Sequence, residues 1–177
     1  MLKQLAPHAK QYFDQLETRG RRIPGQARAE RFVAYRFLNA MIGQGLPFTR
    51  RNGFTIDRLH AGYLKAHIPL RGNRNHMGTV YAGAQFLLAE VPFGALSILE
   101  FEGRYIPILR ELNIRFQQPA RSDLTLELSL PEGLTEQIEA DIAKNGKANL
   151  TLDMTLTNKD GEAVATAVAD YQVRPAS

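Results

Sequence analysis

Residues 75–90 combine polar groups, glycines and one acidic side chain in an order that suits catalysis. The stretch reads NHMGTVYAGAQFLLAE and ends at Glu90, and the residues on both sides of this glutamate are apolar. Burying an unpaired carboxylate among apolar groups costs several kcal/mol. Two interpretations of Glu90 therefore stay open. It is a general base or nucleophile whose pKa is raised by desolvation, or it forms a structural ion pair with an interior arginine.

The small residues Ala82 and Gly83 stand near the predicted start of a helix. The first amide N–H groups of a helix lack internal partners and favour negative charge, so they can stabilise an oxygen that becomes negative during hydrolysis. Alternatively, Gly83 only allows close packing of the helix on a sheet. Because seven residues span about 10 Å of helix, Gly83 and Glu90 of one chain cannot reach one carbonyl group. Two antiparallel helices across a dimer can bring them together.

Other polar residues in the same stretch allow several roles. His76 can orient Asn75, contact a substrate or act as a base near neutral pH, or it can simply hold the loop. Asn75 and Thr79 also suit helix capping. Arg71 and Arg74 suit phosphate binding, and they are equally well explained as surface arginines without a role.

Several kinds of site are not expected. The chain has four histidines and no cysteine, and their spacing suggests no metal triad, so we predict no metal site. No phosphate-binding glycine loop and no serine nucleophile elbow is present. No cofactor is therefore expected.

Hydrophobic periodicity predicts the elements that position these residues. Helical spacing predicts three helices, at residues 3–18, 27–43 and 79–100, of which the last is the most apolar. Strand alternation predicts a hairpin at 54–70 that turns near 61–62. It also predicts strands at 105–116, 124–130, 148–157 and 164–173. Residues 136–144 fit a short helix or a strand. This order predicts an α+β fold in which a curved antiparallel sheet wraps around the central helix. We assign residues 1–48 to an N-terminal extension of two helices and residues 49–177 to the main domain.

Composition limits the functional classes further. The chain has 177 residues, 44% of them hydrophobic, and a formal net charge of +4. The basic residues favour a solvated face or a phosphate-bearing small molecule. The absence of tryptophan and of alternating aromatic and basic residues disfavours nucleic acid. No signal peptide is expected, and the longest apolar stretch, residues 86–99, is short for a membrane span. These observations predict a cytoplasmic protein.

The pattern Asn-His-x-Gly-Thr-x-x-Ala-Gly-Ala-x-x-x-Leu-Ala-Glu, at the start of the central helix, resembles the hot-dog fold thioesterases. The resemblance covers roughly residues 50–174. It is strongest to the acyl-CoA thioesterase branch related to phenylacetyl-CoA thioesterases, in a subgroup with N-terminal helices. It implies a homodimer with joined sheets, or a dimer of such dimers. It also implies hydrolysis of an acyl-CoA, with coenzyme A as part of the substrate.

The resemblance also implies roles for individual residues. Glu90 matches the catalytic carboxylate of the family, and Ala82 and Gly83 match the residues whose amides meet the thioester oxygen. Asn75 falls where a Gln or Asn often holds the nucleophilic water. Tyr81 stands where many relatives carry histidine, and we group it with Arg74 as a substrate-binding candidate.

Two departures from the family pattern leave alternatives open. The only nearby histidine, His76, lies five residues before Tyr81, and Gly94 replaces the Ser or Thr of some relatives. A non-catalytic acyl-CoA-binding or lipid-binding protein is one alternative. A hydroxyacyl-thioester dehydratase that uses His76 and Glu90 across a dimer is the other.

Overall fold

The computed structural model describes residues 10–16 and 24–176, and it confirms the α+β class predicted from the sequence. A curved antiparallel sheet of six strands wraps one central helix. The helices are α1 (residues 10–16), α2 (Pro24–Gly45), α3 (Pro47–Arg51), α4 (Ala82–Glu100) and α5 (Leu134–Asn145). The strands are β1 (Thr55–His60), β2 (Tyr63–Ile68), β3 (Tyr105–Phe116), β4 (Leu124–Ser129), β5 (Ala148–Thr157) and β6 (Ala163–Pro175).

Two elements differ from the sequence-based expectation, and the structure decides between the two alternatives left open for a third. The central helix begins at Ala82 rather than at residue 79, because Tyr81 is extended and residues 73–80 form a loop. Residues 136–144 lie in a helix, α5, which Gly146 ends in a left-handed conformation with φ of 71°. A short helix, α3, follows α2. The part of the first predicted helix outside residues 10–16 lies beyond the described chain.

The sheet has the strand order β1-β2-β4-β5-β6-β3, so β1 and β3 form its two edges. One face of the sheet packs against α4, and the centre of this core contains fully buried Leu88, Phe93 and Leu96. The ring of Tyr171 on β6 lies 4.7 Å from that of Phe93. The inward-facing strand residues therefore hold α4 in a fixed position across the sheet.

Helix α4 has 19 residues and is long and apolar enough to cross a membrane by length and composition. It extends beyond the apolar stretch at 86–99 that the sequence suggested, and 61% of its most apolar 18 residues are buried inside the fold. Buried core helices commonly have this length and apolar composition.

Helix α2 covers the sheet edge formed by β1. The Asn39 side chain accepts a hydrogen bond from the Ile56 N–H (2.8 Å) and donates one to the Ile56 carbonyl (3.0 Å). One turn earlier, the Tyr35 hydroxyl accepts a hydrogen bond from the Leu59 N–H at 2.8 Å. Side chains of α2 thus satisfy backbone groups that would otherwise template pairing with another strand.

Replacing Asn39 with alanine should therefore expose this edge. Because the N–H and carbonyl groups of Ile56 lose their partners, we expect the free energy of unfolding to fall by about 1–3 kcal/mol. Urea denaturation measures this change, and light scattering should reveal faster aggregation. The matched control is Gln44→Ala, which changes an exposed residue on the same helix. Equal stability of the two variants would contradict the proposed edge protection.

Candidate active site

Hydrogen bonds within the loop that leads into α4, and to the segment between β3 and β4, fix the residues before the helix. The Asn73 carbonyl accepts from the Tyr81 N–H at 2.7 Å, and the Ala120 carbonyl accepts from the Val80 N–H at 2.8 Å. The buried side chain of Gln85, in the first turn of the helix, donates to the Val80 carbonyl at 3.1 Å. The start of α4 is therefore rigidly attached to the sheet. The supporting roles of Asn73 and Gln85 were not predicted from the sequence.

The first two amides of α4 are free of internal partners. The N–H groups of Ala84 and Gln85 both bond to the Tyr81 carbonyl, at 3.0 and 3.2 Å. The N–H groups of Ala82 and Gly83 have no acceptor among the described residues. Because a helix N-terminus carries a partial positive charge, these two amides can donate hydrogen bonds to an oxygen that carries negative charge.

The absence of a side chain at Gly83 leaves space for the Tyr81 ring and not for the sheet. A Cβ atom at this position would lie 2.7 Å from Cε1 of Tyr81, so the Tyr81 ring rests on the glycine. Tyr81 remains 61% exposed. The alternative in which Gly83 packs against the sheet is therefore wrong. The glycine places an aromatic ring next to the two free amides.

Glu90 is exposed in the single chain, although its sequence neighbours are apolar. It belongs to a row of residues at helical spacing, Phe86, Glu90, Gly94 and Ile98, which the sheet does not cover. No ion pair or hydrogen bond to the Glu90 carboxylate exists within the described ranges. The interpretation of Glu90 as a buried structural ion pair is therefore wrong for these residues.

The surroundings of Glu90 nevertheless disfavour the ionised form of its carboxyl group. Partial burial raises the pKa of Glu90 above its ordinary value. The Tyr171 hydroxyl donates to the Glu90 backbone carbonyl at 3.0 Å, which fixes this turn of the helix from the sheet side. Burial, and to a lesser extent the charge of Glu90, raises the pKa of Tyr171 well above its usual range, so the phenol remains neutral. A desolvated, unpaired carboxylate is a stronger base than one in water.

The other predicted residues lie on the loop before α4. The Asn75 side chain accepts hydrogen bonds from the N–H groups of Met77 and Thr79 and donates to the Thr79 hydroxyl, so its amide is engaged within the loop. His76 and Arg74 are exposed. No group of three or more potential metal-binding side chains occurs in the described part of the chain.

Comparison with known proteins places this geometry in a family. A family model described as a domain of unknown function, DUF4442, matches residues 35–173. The chain belongs to the DUF4442 family. No curated protein matches the sequence.

Solved structures define the fold of this DUF4442 domain. A Pseudomonas aeruginosa protein of unknown function, described as a "Probable Thioesterase", is 37% identical, with 80% of this chain and 95% of that chain covered and a TM-score of 0.75. A protein of unknown function from Chlorobaculum tepidum is 17% identical (81% and 95% covered, TM-score 0.71). A Haemophilus influenzae thioesterase is 14% identical (80% and 90% covered, TM-score 0.62). The fold is the hot-dog fold found in thioesterases.

The DUF4442 domain also carries a titratable pair outside the candidate site. On the outer face of the sheet, Nδ1 of His67 lies 2.8 Å from the Asp57 carboxylate. The hydrogen bond to Asp57 raises the pKa of His67 above 6.5, and the charges of Asp57 and Asp123 act in the same direction against partial burial. The sequence did not predict this pair, because the two residues are ten positions apart on neighbouring strands.

This pair should make the stability of the protein depend on pH. A histidine with a raised folded-state pKa contributes stability that is fully present below its unfolded pKa and is lost as pH rises through the folded value. Urea denaturation from about pH 5 to pH 9 should therefore show a decline in the neutral range that His67→Gln abolishes. His76→Gln removes an exposed imidazole and is the control. A decline that persists in His67→Gln would exclude this pair as its source.

Proposed function

We propose that this protein hydrolyses acyl-CoA-type thioesters. The proposal depends chiefly on one arrangement, the two partner-free amides of Ala82 and Gly83 on the same helix as the unpaired, partly desolvated carboxylate of Glu90. Thioester hydrolysis needs a donor pair for the carbonyl oxygen and a base for water. The thioesterase names of several structural neighbours support the same reaction class.

The reaction follows from these groups. The carbonyl oxygen of the thioester accepts hydrogen bonds from the amides of Ala82 and Gly83, which stabilise the negative charge of the tetrahedral intermediate. Glu90 takes a proton as a water oxygen bonds to the carbonyl carbon. Breakage of the C–S bond then releases a thiolate, which receives the proton from Glu90. The products are a carboxylic acid and a thiol.

The site proposed here is shared between two chains. Ala82 and Glu90 are eight residues apart, about 12 Å along the helix, so the amides of one chain require the carboxylate of another. Two features of the described chain favour such a homodimer. Strand β3 has 12 residues and pairs only with β6, which leaves an open edge. Phe86, Ile98 and Phe116, on α4 and β3, are exposed in the single chain. Pairing of the β3 edges of two chains would give the open edge a partner strand and would bring these exposed apolar side chains toward the second chain.

The loop residues have supporting roles in this proposal. Asn75 shapes the loop that precedes the amides, and we assign it a positioning role. Exposed His76 and Arg74 suit contact with the phosphates of coenzyme A. The Tyr81 ring, which rests on Gly83, suits contact with the acyl group beside the amides.

A panel of acyl-CoA thioesters, from short and long to aromatic, tests the proposed function by detection of free thiol. We expect thiol release well above the spontaneous rate for at least one class of acyl group. Acyl-CoA binding in calorimetry without thiol release would instead establish a non-catalytic acyl-CoA-binding protein. Hydration of an enoyl-CoA without thiol release would establish a dehydratase.

A further inference from the structure

The outward side of α2 is apolar and open to solvent. Seven of its residues share an arc of about 140° on the helix, given 100° per residue. They are Ala29, Phe32, Val33, Arg36, Phe37, Ala40 and Gln44, all exposed, and we call them the outer face of α2. Phe32 and Val33 are each 64% exposed and Phe37 is 60% exposed. Apolar helix faces normally turn toward a core, so this exposure indicates a binding surface.

Helix α3 extends this surface. Leu46, just before α3, is 51% exposed, and Phe48 within it is 56% exposed. The two helices are in contact, because a Cβ atom on Gly43 near the end of α2 would lie 3.1 Å from Cβ of Arg50. Five large apolar side chains thus lie on one pair of packed helices.

The exposed charges on α2 and α3 all have one sign. Between residues 28 and 51, the exposed charged residues are arginines: Arg28, Arg36, Arg50 and Arg51. The only acidic residue in this range, Glu30, is partly buried. The Arg36 guanidinium lies 5.6 Å from the centre of the Phe32 ring, so the cationic and apolar groups are in direct contact.

A basic groove borders the outer face of α2. It lies between α2 and β1, has a volume of about 630 Å³, and includes Phe32 and Arg36 in its wall. Arg28, Arg31 and Arg58 also line it, with Asp57 as the acidic residue. A phosphate group can therefore lie within reach of several guanidinium groups beside exposed aromatic rings.

We propose that the outer face of α2, together with Leu46 and Phe48, docks onto an anionic phospholipid bilayer. The apolar side chains enter the region between headgroups and acyl chains, and the arginines contact the lipid phosphates. Charge argues against a second copy as the partner, since a two-fold contact through this face would bring two basic surfaces together. Val33 and Leu46 favour lipid over nucleic acid, because aliphatic side chains neither stack on bases nor bind phosphates.

Vesicle sedimentation of the full chain tests the proposal. We expect binding to vesicles of phosphatidylglycerol mixed with phosphatidylcholine, weaker binding at high salt, and little binding to phosphatidylcholine alone. Arg36→Gln and Arg51→Gln should each lower the partition coefficient about fivefold. Phe32→Ser and Phe37→Ser should each lower it about tenfold or more. These residues are exposed, so thermal melting should confirm that the variants fold.

Matched controls are Val168→Ser, on the outer face of the sheet, and Lys147→Gln, after α5, both exposed. Both controls should bind vesicles like the original chain. The proposal is overturned if the original chain ignores anionic vesicles, or if the Phe32 and Phe37 variants bind as well as the controls. Self-association that Phe32→Ser abolishes, or preferential binding of a single-stranded oligonucleotide, would also overturn it. Thiol release does not enter this test, so its outcome is independent of the proposed hydrolysis.

Discussion

Replacement of Glu90 with glutamine is expected to lower kcat for acyl-CoA hydrolysis by about 10²–10⁴-fold, with little change in KM. Glutamine keeps the size of the side chain but cannot accept the proton of the attacking water. The substrate still meets the amides of Ala82 and Gly83, so binding is retained. Steady-state kinetics with thiol detection measure the change. Glu132→Gln, on an exposed loop, is the matched control and should leave kcat unchanged.

The pH dependence of the same variants gives a second test. Because partial burial raises the pKa of Glu90, thiol release by the original chain should increase as pH rises through this raised pKa. The residual activity of Glu90→Gln should lack this acidic limb. An unchanged kcat in Glu90→Gln, or an acidic limb that persists, would remove Glu90 from the mechanism.

The Glu90→Gln substitution, which should lower activity, should not lower the free energy of unfolding. A carboxyl group with a raised folded-state pKa lowers stability as pH rises from its unfolded value through its folded value. Glu90→Gln removes this cost, so we expect the variant to be at least as stable as the original chain at neutral pH. The difference should vanish below the unfolded pKa of glutamate. A less stable Glu90→Gln at neutral pH would contradict the desolvation of this carboxylate.

Replacement of Ala82 with proline is expected to lower kcat by about 10²–10³-fold without unfolding the protein. Proline deletes the N–H that the proposal assigns to the thioester oxygen. Proline is well tolerated at the first position of a helix. Tyr81 already has φ of −61° and ψ of 141°, the extended conformation that a following proline requires. Circular dichroism and thermal melting should therefore match the original chain.

The matched control for Ala82→Pro is Ala82→Ser, which restores the N–H and adds only a hydroxyl group. It should retain most of the activity. If Ala82→Pro hydrolyses thioesters as fast as Ala82→Ser, the amide has no role in the reaction.

Co-expression of the two inactive variants tests whether the site is shared. In a mixed dimer, one site receives the intact amide of the Glu90→Gln chain and the intact Glu90 of the Ala82→Pro chain. Random mixing makes half the dimers mixed, each with one complete site, so about a quarter of the original activity should return. No recovery in isolated mixed dimers would show that each chain contains its own complete site.

The sequence was a good guide where alternation is regular. The predicted ranges of β3 and β5 agree with the structure, because inward and outward residues alternate along all of β5 and along the second half of β3. The hairpin turn at 61–62 was also correct. The division at residue 48 stays a prediction, although the family match that starts at residue 35 includes the second half of α2.

Long-range contacts were harder to predict. The apolar residues on both sides of Glu90 in the sequence did not show that its side chain lies on the side of α4 that the sheet leaves open. Likewise, the Asn39 contact with Ile56 joins residues 17 positions apart, and the Tyr171 contact with Glu90 joins residues 81 apart. Such contacts depend on tertiary packing, which no local pattern encodes. Glu90, Ala82 and Gly83 could be selected from the sequence, but their surroundings could not.

The cover that α2 places over β1 has a consequence for assembly. A sheet with two open edges can add further chains at both ends and grow into a fibre. Here Asn39 and Tyr35 occupy backbone groups along one edge, while β3 stays open at the other. If two β3 edges pair as proposed, addition of chains through the sheet would therefore stop at two. By covering one edge of the sheet, α2 thus favours a closed assembly of limited size over continued growth.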